Sequence, residues 1–277
     1  MTTNADTALT APLNRSRFPF RLGTTSYIYP ANIAHNVIKL QDDIDDIELL
    51  FFEVEDESDL PDANGLVELR QIAEESDLTY TVHLPLDLFL GDFDETCRKH
   101  SVEKALKVIR GVESLQPFAF NAHFEKRNAD HSPVTDIARW QENLRRSSET
   151  LANAFAQPEL FSVEYLNYPF ELIRDIIDSF NFSYVLDLGH LLLQGGDYMS
   201  YLKRYLDKTR VIHLHGVAED KDHLSLEKGD AGKLAAIFDF LQKKHYRNVL
   251  TLEIFNKRDL DESLRVVERL CKIKNKD

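Results

Sequence analysis

From Phe20 onward the chain alternates strand-like and helix-like stretches eight times, and few folds accept that pattern. FRLGTTSYI is followed by NIAHNVIKL, DIELLFFEV by ANGLVELRQIAEES, and TYTVHLPL by ETCRKHSVEKALKVIRGVESL. AFNAHFE precedes DIARWQENLRRSSETLANAF, and LFSVEYLN precedes FELIRDIIDSF. FSYVLDLGH then DYMSYLKRYLD, RVIHLHGV then AGKLAAIFDFLQKKH, and NVLTLEIF then LDESLRVVERLCK complete the series. Strands this dense in Val, Ile, Leu and Phe suit a parallel sheet covered by helices on its outer face. Eight such units in about 250 residues predict an α/β protein of the (β/α)8 TIM-barrel type. A doubly wound open sheet would want a Gly-rich phosphate turn after an early strand, and none is present.

Composition narrows the function. With 33 Lys and Arg against 47 Asp and Glu, the net charge of −14 argues against a protein whose main work is gripping nucleic acid. The two cysteines, Cys97 and Cys271, lie far apart with no CxxC, which points to a reduced, cytoplasmic setting. No apolar run approaches the ~20 residues of a membrane span. MTTNADTALTAPLNRSR lacks the apolar centre of a signal peptide, so residues 1–17 read as a disordered polar tail and 18–277 as one barrel domain.

The polar residues late in the strands carry the chemistry. In RVIHLHG, His213 and His215 stand two apart inside an apolar run, so both rings face one side of a strand. His83 closes strand three, His123 strand four and Glu164 strand five; Asp187 and His190 close strand six, and Glu253 sits late in strand eight. The C-terminal ends of barrel strands converge on one face, where active sites form. Six consecutive strands thus bring imidazoles and carboxylates to one rim, the ligand set expected of Zn²⁺, Mn²⁺ or Fe²⁺. Singly, each has a plainer reading: a lone His83 as a satisfied core residue, Asp187 as a helix cap. Together, so many ionisable groups would repel or stay unpaired without a cation. His35, His100 and His245 read as surface, Trp140 as helix–barrel packing, and the run DDIDDIE at 42–48 as mostly a solvated turn. Glu55 and Glu125 are within reach of the rim, with a surface role equally open.

This order of ligands resembles the xylose-isomerase-like barrel superfamily, which includes sugar isomerases and epimerases and endonuclease-IV-type phosphodiesterases. Glu164, Asp187, His213 and Glu253 match its common metal quartet; His83, His123 and His190 resemble the fuller set of the phosphodiesterase branch, which implies two or three divalent ions. A third ion would need an Asp-x-His after strand seven. KDHLSL offers His223, but Lys221 stands where the Asp is expected, with Asp220 and Asp222 flanking. FRLGTTSYIYP, TYTVHLPLDL, RWQENLRRS, NYPFEL, LDLGHLLL, VIHLHGV and LTLEIF look like the cobamide-remodelling phosphodiesterases of bacteria. That resemblance implies hydrolysis of a phosphoester in the nucleotide loop of a B12-type corrinoid, releasing an α-riboside and cobinamide phosphate.

The residues accommodate such a reaction. Divalent ions lower the pKa of a bound water toward ~7 and neutralise phosphate. Glu164, central in the series, is the natural bridging carboxylate, and His215 is placed to hydrogen-bond phosphate or protonate the leaving group. His190 would ligate a third ion or hold phosphate. Tyr27, Tyr29 and His223 are candidate corrinoid or nucleoside contacts. Three rival readings stay open: a metal-dependent sugar isomerase or epimerase, which needs only the quartet; an abasic-DNA phosphodiesterase, for which the strand–helix loops read as short and poor in basic residues; and a corrinoid- or metal-binding protein without turnover.

Overall fold

A computed structural model describes residues 18–52 and 60–271. The expected tail at 1–17 and Glu55 lie outside them. Eight parallel strands close a barrel: β1 (Arg21–Thr25), β2 (Asp46–Leu50), β3 (Thr79–His83), β4 (Ala119–Ala122), β5 (Phe161–Glu164), β6 (Ser183–Asp187), β7 (Thr209–Leu214) and β10 (Val249–Leu252). They neighbour one another in chain order, and β1 pairs with β10 to close the ring. The α/β TIM-barrel expectation is met. A two-stranded antiparallel hairpin, β8 (Gly216–Ala218) and β9 (Lys221–Leu224), stands between β7 and the next helix, where the sequence pattern predicted only a loop.

The outer helices are α1 (Ile33–Leu40), α2 (Ala63–Ser76), α3 (Glu95–Val112), α4 (Ile137–Ala152), α5 (Arg174–Ser179), α6 (Leu188–Leu193), α7 (Tyr198–Tyr205), α8 (Ala231–Lys243) and α9 (Lys257–Leu270). Every one except α5 starts on an Asp or Asn whose side chain accepts a backbone N–H of the first turn, satisfying donors that no helical carbonyl can reach. α5 is shorter than the pattern FELIRDIIDSF suggests, and α6 is an extra helix cut from what read as the end of strand six. No helix among the described residues is long and apolar enough to cross a membrane. Cys97 and Cys271 are both free thiols.

Register fixes which side chains enter the barrel. Pairing carries one orientation round the ring: Thr251 lies level with His213, Gly23 with Thr251, Asp46 with Gly23, Thr79 with Asp46. On β3 to β6, His83 lies level with Asn121, Asn121 with Ser162, and Asp187 with His213. Because side chains alternate, Asp46, Glu48, Thr81, His83, Asn121, Ser162, Glu164, Asp187, His213, Thr251 and Glu253 share the interior parity. Four residues, Ala119, Val185, Val211 and Val249, form a small apolar plug inside the ring. Arg21 closes the end remote from the ligands, donating to the Asp45 and Asp77 carbonyls at 2.6 and 2.5 Å. The larger core lies between strands and helices and includes fully buried Trp140, whose packing reading holds. Its Nε1 also donates to the Glu125 carbonyl at 3.0 Å, pinning the loop that follows β4.

The run 42–48 departs from expectation. Asp42 and Asp43 are exposed, but Asp46 and Glu48 are strand residues with no exposed surface. The expectation of short loops at the ligand rim fails as well: residues 84–94 join β3 to α3, 123–136 join β4 to α4, and 215–230, with the hairpin, join β7 to α8.

Candidate metal centre

Eight side chains from six strand ends, together with His223 of the hairpin, meet at the barrel mouth. Ligand-type atoms of His83, His123 and Glu164 lie within 4.8 Å of one another, as do those of Glu164, Asp187 and His213, of Asp187, His215 and Glu253, and of His190, His215 and His223. Glu164 belongs to the first two groups. Its Oε2 is 3.4 Å from His83 Nε2, 3.4 Å from His123 Nε2 and 3.5 Å from His213 Nδ1. Glu253 Oε2 is 3.5 Å from the same His213 nitrogen. Asp187 caps α6 through Oδ1, as its plainer reading expected, while standing in the cluster at the mouth.

The second nitrogen of each ring is occupied by the protein. His83 Nδ1 meets the Leu84 carbonyl at 2.8 Å, and His123 Nδ1 meets Glu125 at 3.5 Å, so Glu125 does reach the rim. Glu125 is also paired with Arg127 at 3.2 Å. His213 Nε2 meets Glu48 at 3.2 Å. Such contacts orient an imidazole for metal binding.

His215 differs. β7 ends at Leu214, so His215 already belongs to the connection, and it faces Asp187 and the other two histidines rather than Glu164. Its Nδ1 accepts the backbone N–H of His223 at 3.0 Å. The Gly216 carbonyl lies 3.3 Å from the same nitrogen and would need the opposite tautomer. The backbone donor is closer and always carries its proton, so the Nε2–H form follows. Burial, with the nearby His223 and His190, drives this imidazole down to about 4 against the attraction of Asp187, keeping it neutral. Gly189 makes room for the ring; a Cβ there would sit 2.2 Å from His215 Nε2.

The donor set passes a direct test for divalent ions. His123 Nε2, Glu164 Oε2, His213 Nδ1 and Glu253 Oε2 are all buried without a hydrogen-bond partner, an arrangement that native interiors avoid. Among the described residues, every ion pair to Glu164, Asp187 and Glu253 comes from a histidine. Burial opposes charge at each site, and the clustered groups resolve it unevenly. Glu164 is held well below the usual carboxylate range by His213 and His123, whereas burial lifts Glu253 to about 8. Burial also opposes charge on His123, yet Glu164 and Glu125 raise it to about 10. A cation in place of those protons satisfies the orphaned atoms and the charge together.

The third group fits the sequence less simply. His223 comes from the hairpin with φ of 50°, its ring 4.3 Å from that of His215. Asp222, not position 221, approaches His190 Nε2, at 3.4 Å. Tyr27 is 60% exposed beyond β1, whereas the Tyr29 ring packs on His35 of α1. His35, His100 and His245 are exposed, as expected.

Four contributors escaped the sequence reading: Glu48, Asn121, Phe52 and Phe255. Phe52 packs edge-on against His83 and Phe255 against His223, and the two rings lie 6.5 Å apart. Counting back by two from His83 through the strand register would have placed Glu48 and Asn121 on the interior parity. Nothing local marks the phenylalanines.

No curated protein sequence matches the chain. Solved structures share the fold. A D-tagatose 3-epimerase-like protein is 18% identical with a TM-score of 0.75, over 91% of this chain and 97% of that one. A 3-keto-D-glucoside 4-epimerase from E. coli is 15% identical with a TM-score of 0.70, over 91% and 98%. Endonuclease IV from Thermus thermophilus is 15% identical with a TM-score of 0.65, over 90% and 98%. At these identities the likeness speaks for the fold alone. The pattern of the xylose isomerase-like TIM barrel family matches residues 41–270, and the chain belongs to that family.

Proposed function

We propose that the chain hydrolyses a phosphoester with two divalent ions, and that its substrate is a cobamide cleaved in the nucleotide loop. One observation carries the reading: His83 and His123 converge on Glu164 as a ligand group separate from Glu164, Asp187 and His213. Sugar isomerisation has no need of that second group. The cobamide part rests on the sequence resemblance, and no nucleic acid or membrane partner is invoked.

The ions, when bound, would supply an acidified water and neutralise the phosphate. The chain's own side chains do the rest. Glu164 joins the two groups and holds them in register. His215 Nε2–H, buried beside Asp187, would serve as a donor to a phosphoryl oxygen or to the leaving oxygen. His190, fixed by Asp187, offers Nε2 beside Asp222 for a further phosphate contact. Phe52 and Phe255 offer apolar area beside the histidines, with Tyr27 beyond them, suited to a large corrinoid body.

A second reading, a metal-dependent sugar epimerase, is favoured by the Glu164, Asp187 and His213 group, with Glu253 against the same His213 nitrogen. The long loops at the mouth also remove one objection to an abasic-DNA phosphodiesterase. Incubation with Zn²⁺, Mn²⁺ or Fe²⁺ and a cobamide, a ketose panel or abasic duplex DNA separates the three. Release of an α-riboside, lost in Glu164→Gln together with metal content, is expected. An epimerised sugar or a nicked duplex with the cobamide intact under every metal overturns the proposal.

A further inference from the structure

Beneath the mouth, three side chains with no exposed surface meet inside the barrel: Glu48 of β2, Asn121 of β4 and His213 of β7. β1 and β10 separate β2 from β7 in the ring, so the Glu48–His213 contact crosses the interior and is not a by-product of strand pairing. His213 Nε2 lies 3.2 Å from Glu48 Oε1, and Asn121 Nδ2 donates to that same oxygen at 2.7 Å. On its other side, His213 Nδ1 lies 3.5 Å from both Glu164 Oε2 and Glu253 Oε2. We infer that Glu48, clamped by Asn121, is a positioning residue that sets the tautomer of His213 and turns the Nδ1 lone pair toward the metal-holding carboxylates. The inference deepens the metal reading above and rests on it.

The alternatives fail on charge and direction. A neutral imidazole carries one N–H. With the proton on Nδ1, the Nε2 lone pair would face a carboxylate oxygen at 3.2 Å, and an N–H would point at the place a cation takes. With the proton on Nε2, the ring donates to Glu48 and the lone pair is free for the ion. Asn121 Nδ2 is 3.4 Å from His213 Nε2, a donor beside a donor, so Asn121 serves the carboxylate and not the ring. Among the described residues His213 is the only ion-pair partner of Glu48, and Glu48 Oε2 and Asn121 Oδ1 remain without hydrogen bonds. A carboxylate buried for packing alone would be better replaced by an apolar side chain.

Zinc titration of the full chain tests this. Glu48→Gln keeps an acceptor without the charge and is expected to weaken one of two zinc-binding events about 10-fold; Glu48→Leu, which removes the acceptor, about 100-fold. The event assigned to His83 and His123 should hold its affinity. In zinc-loaded, ¹⁵N-labelled protein the His213 proton is expected on Nε2. A solely structural Glu48 would lower the melting temperature and leave affinity and proton position unmoved. Should both Glu48 variants fail to fold, Asn121→Ala, which frees the carboxylate but retains it, is expected to weaken the same event several-fold. Unchanged zinc affinity in a folded variant, or the proton on Nδ1, overturns the inference. A wild-type chain that binds no zinc overturns the functional reading instead; the metal-free spectrum then decides, and absence of a downfield Nε2–H moved by Glu48→Gln overturns the inference too.

Discussion

The Asp187 carboxylate engages His190 twice: Oδ1 accepts its backbone N–H at 2.7 Å, and Oδ2 lies 2.5 Å from its Nδ1. One side chain therefore starts α6 and fixes the imidazole of the helix's first turn. Asparagine at 187 can still cap, which separates the two roles. Asp187→Asn is expected to melt within about 1 kcal/mol of wild type, the scale of a cap, yet to lose metal and turnover. His190→Ala should keep metal at the Glu164 groups and lower turnover. Calorimetry and elemental analysis together decide; full metal content in Asp187→Asn would remove Asp187 from the centre.

Acid should weaken metal binding. The metal-free chain balances its carboxylates with protons on histidine. Burial opposes the charge on His190, but Asp187 lifts it to about 9, and Glu164 and Glu125 likewise lift His123 to about 10. Metal at the Glu164 groups must displace the His123 proton, so affinity rises with pH until about 10, and binding at pH 7.5 releases at least one proton per chain. Titrations in buffers of different ionisation enthalpy measure the number. The same raised values stabilise the metal-free fold: that contribution is full below about 6.5, where the unfolded imidazole also binds its proton, and is lost as pH rises through 9 to 10. A proton count of zero would contradict the site electrostatics.

Asp46 makes a separate prediction of the same sign away from the mouth. Burial lifts this carboxyl to about 7 against the hydrogen bond from Thr79 and the attraction of Arg21. The unfolded chain gives up the proton from about pH 4 upward while the folded chain keeps it. Stability contributed at this position therefore falls between about pH 4 and pH 7 and then levels off. Asp46→Asn can still accept from Thr79 and should not show the fall. The stability difference between variant and wild type is expected to move in favour of the variant by up to about 4 kcal/mol, at about 1.36 kcal/mol per pH unit. Denaturant melts at pH 4 and pH 8 check it, and a constant difference would refute it.

Gly189 is predicted to be irreplaceable for a steric reason. A Cβ there would meet three atoms of the His215 ring at 2.2 to 2.4 Å, with no flexible chain end to give way. Gly189→Ala should cost about 1–3 kcal/mol by overpacking and displace His215, lowering kcat at least 10-fold with metal content retained. Wild-type kcat in this variant would show that His215 takes no part in turnover.

The alternation of eight strand-like and helix-like stretches was enough to determine the barrel, because parallel strands buried on both faces leave dense apolar runs and the helices between them leave a 3.6-residue period. His83, His123, Glu164, Asp187, His213 and Glu253 were legible for the same reason: the C-terminal ends of barrel strands must meet. Glu48 and Asn121 were not. Each sits in an ordinary-looking run, DIELL or AFNAH, and only interstrand register reveals that its side chain enters the ring beside His213. The hairpin that brings His223 to His215 was hidden too, since its residues at positive φ, Glu219 in the turn and His223 in β9, are not glycines that would announce a bend. Which nitrogen of His213 and of His215 carries the proton is decided entirely by partners remote in sequence, Glu48 in one case and the backbone of His223 in the other. Residue types settle what chemistry a mouth of histidines and carboxylates can hold; three-dimensional closure of the barrel settles which lone pairs face it.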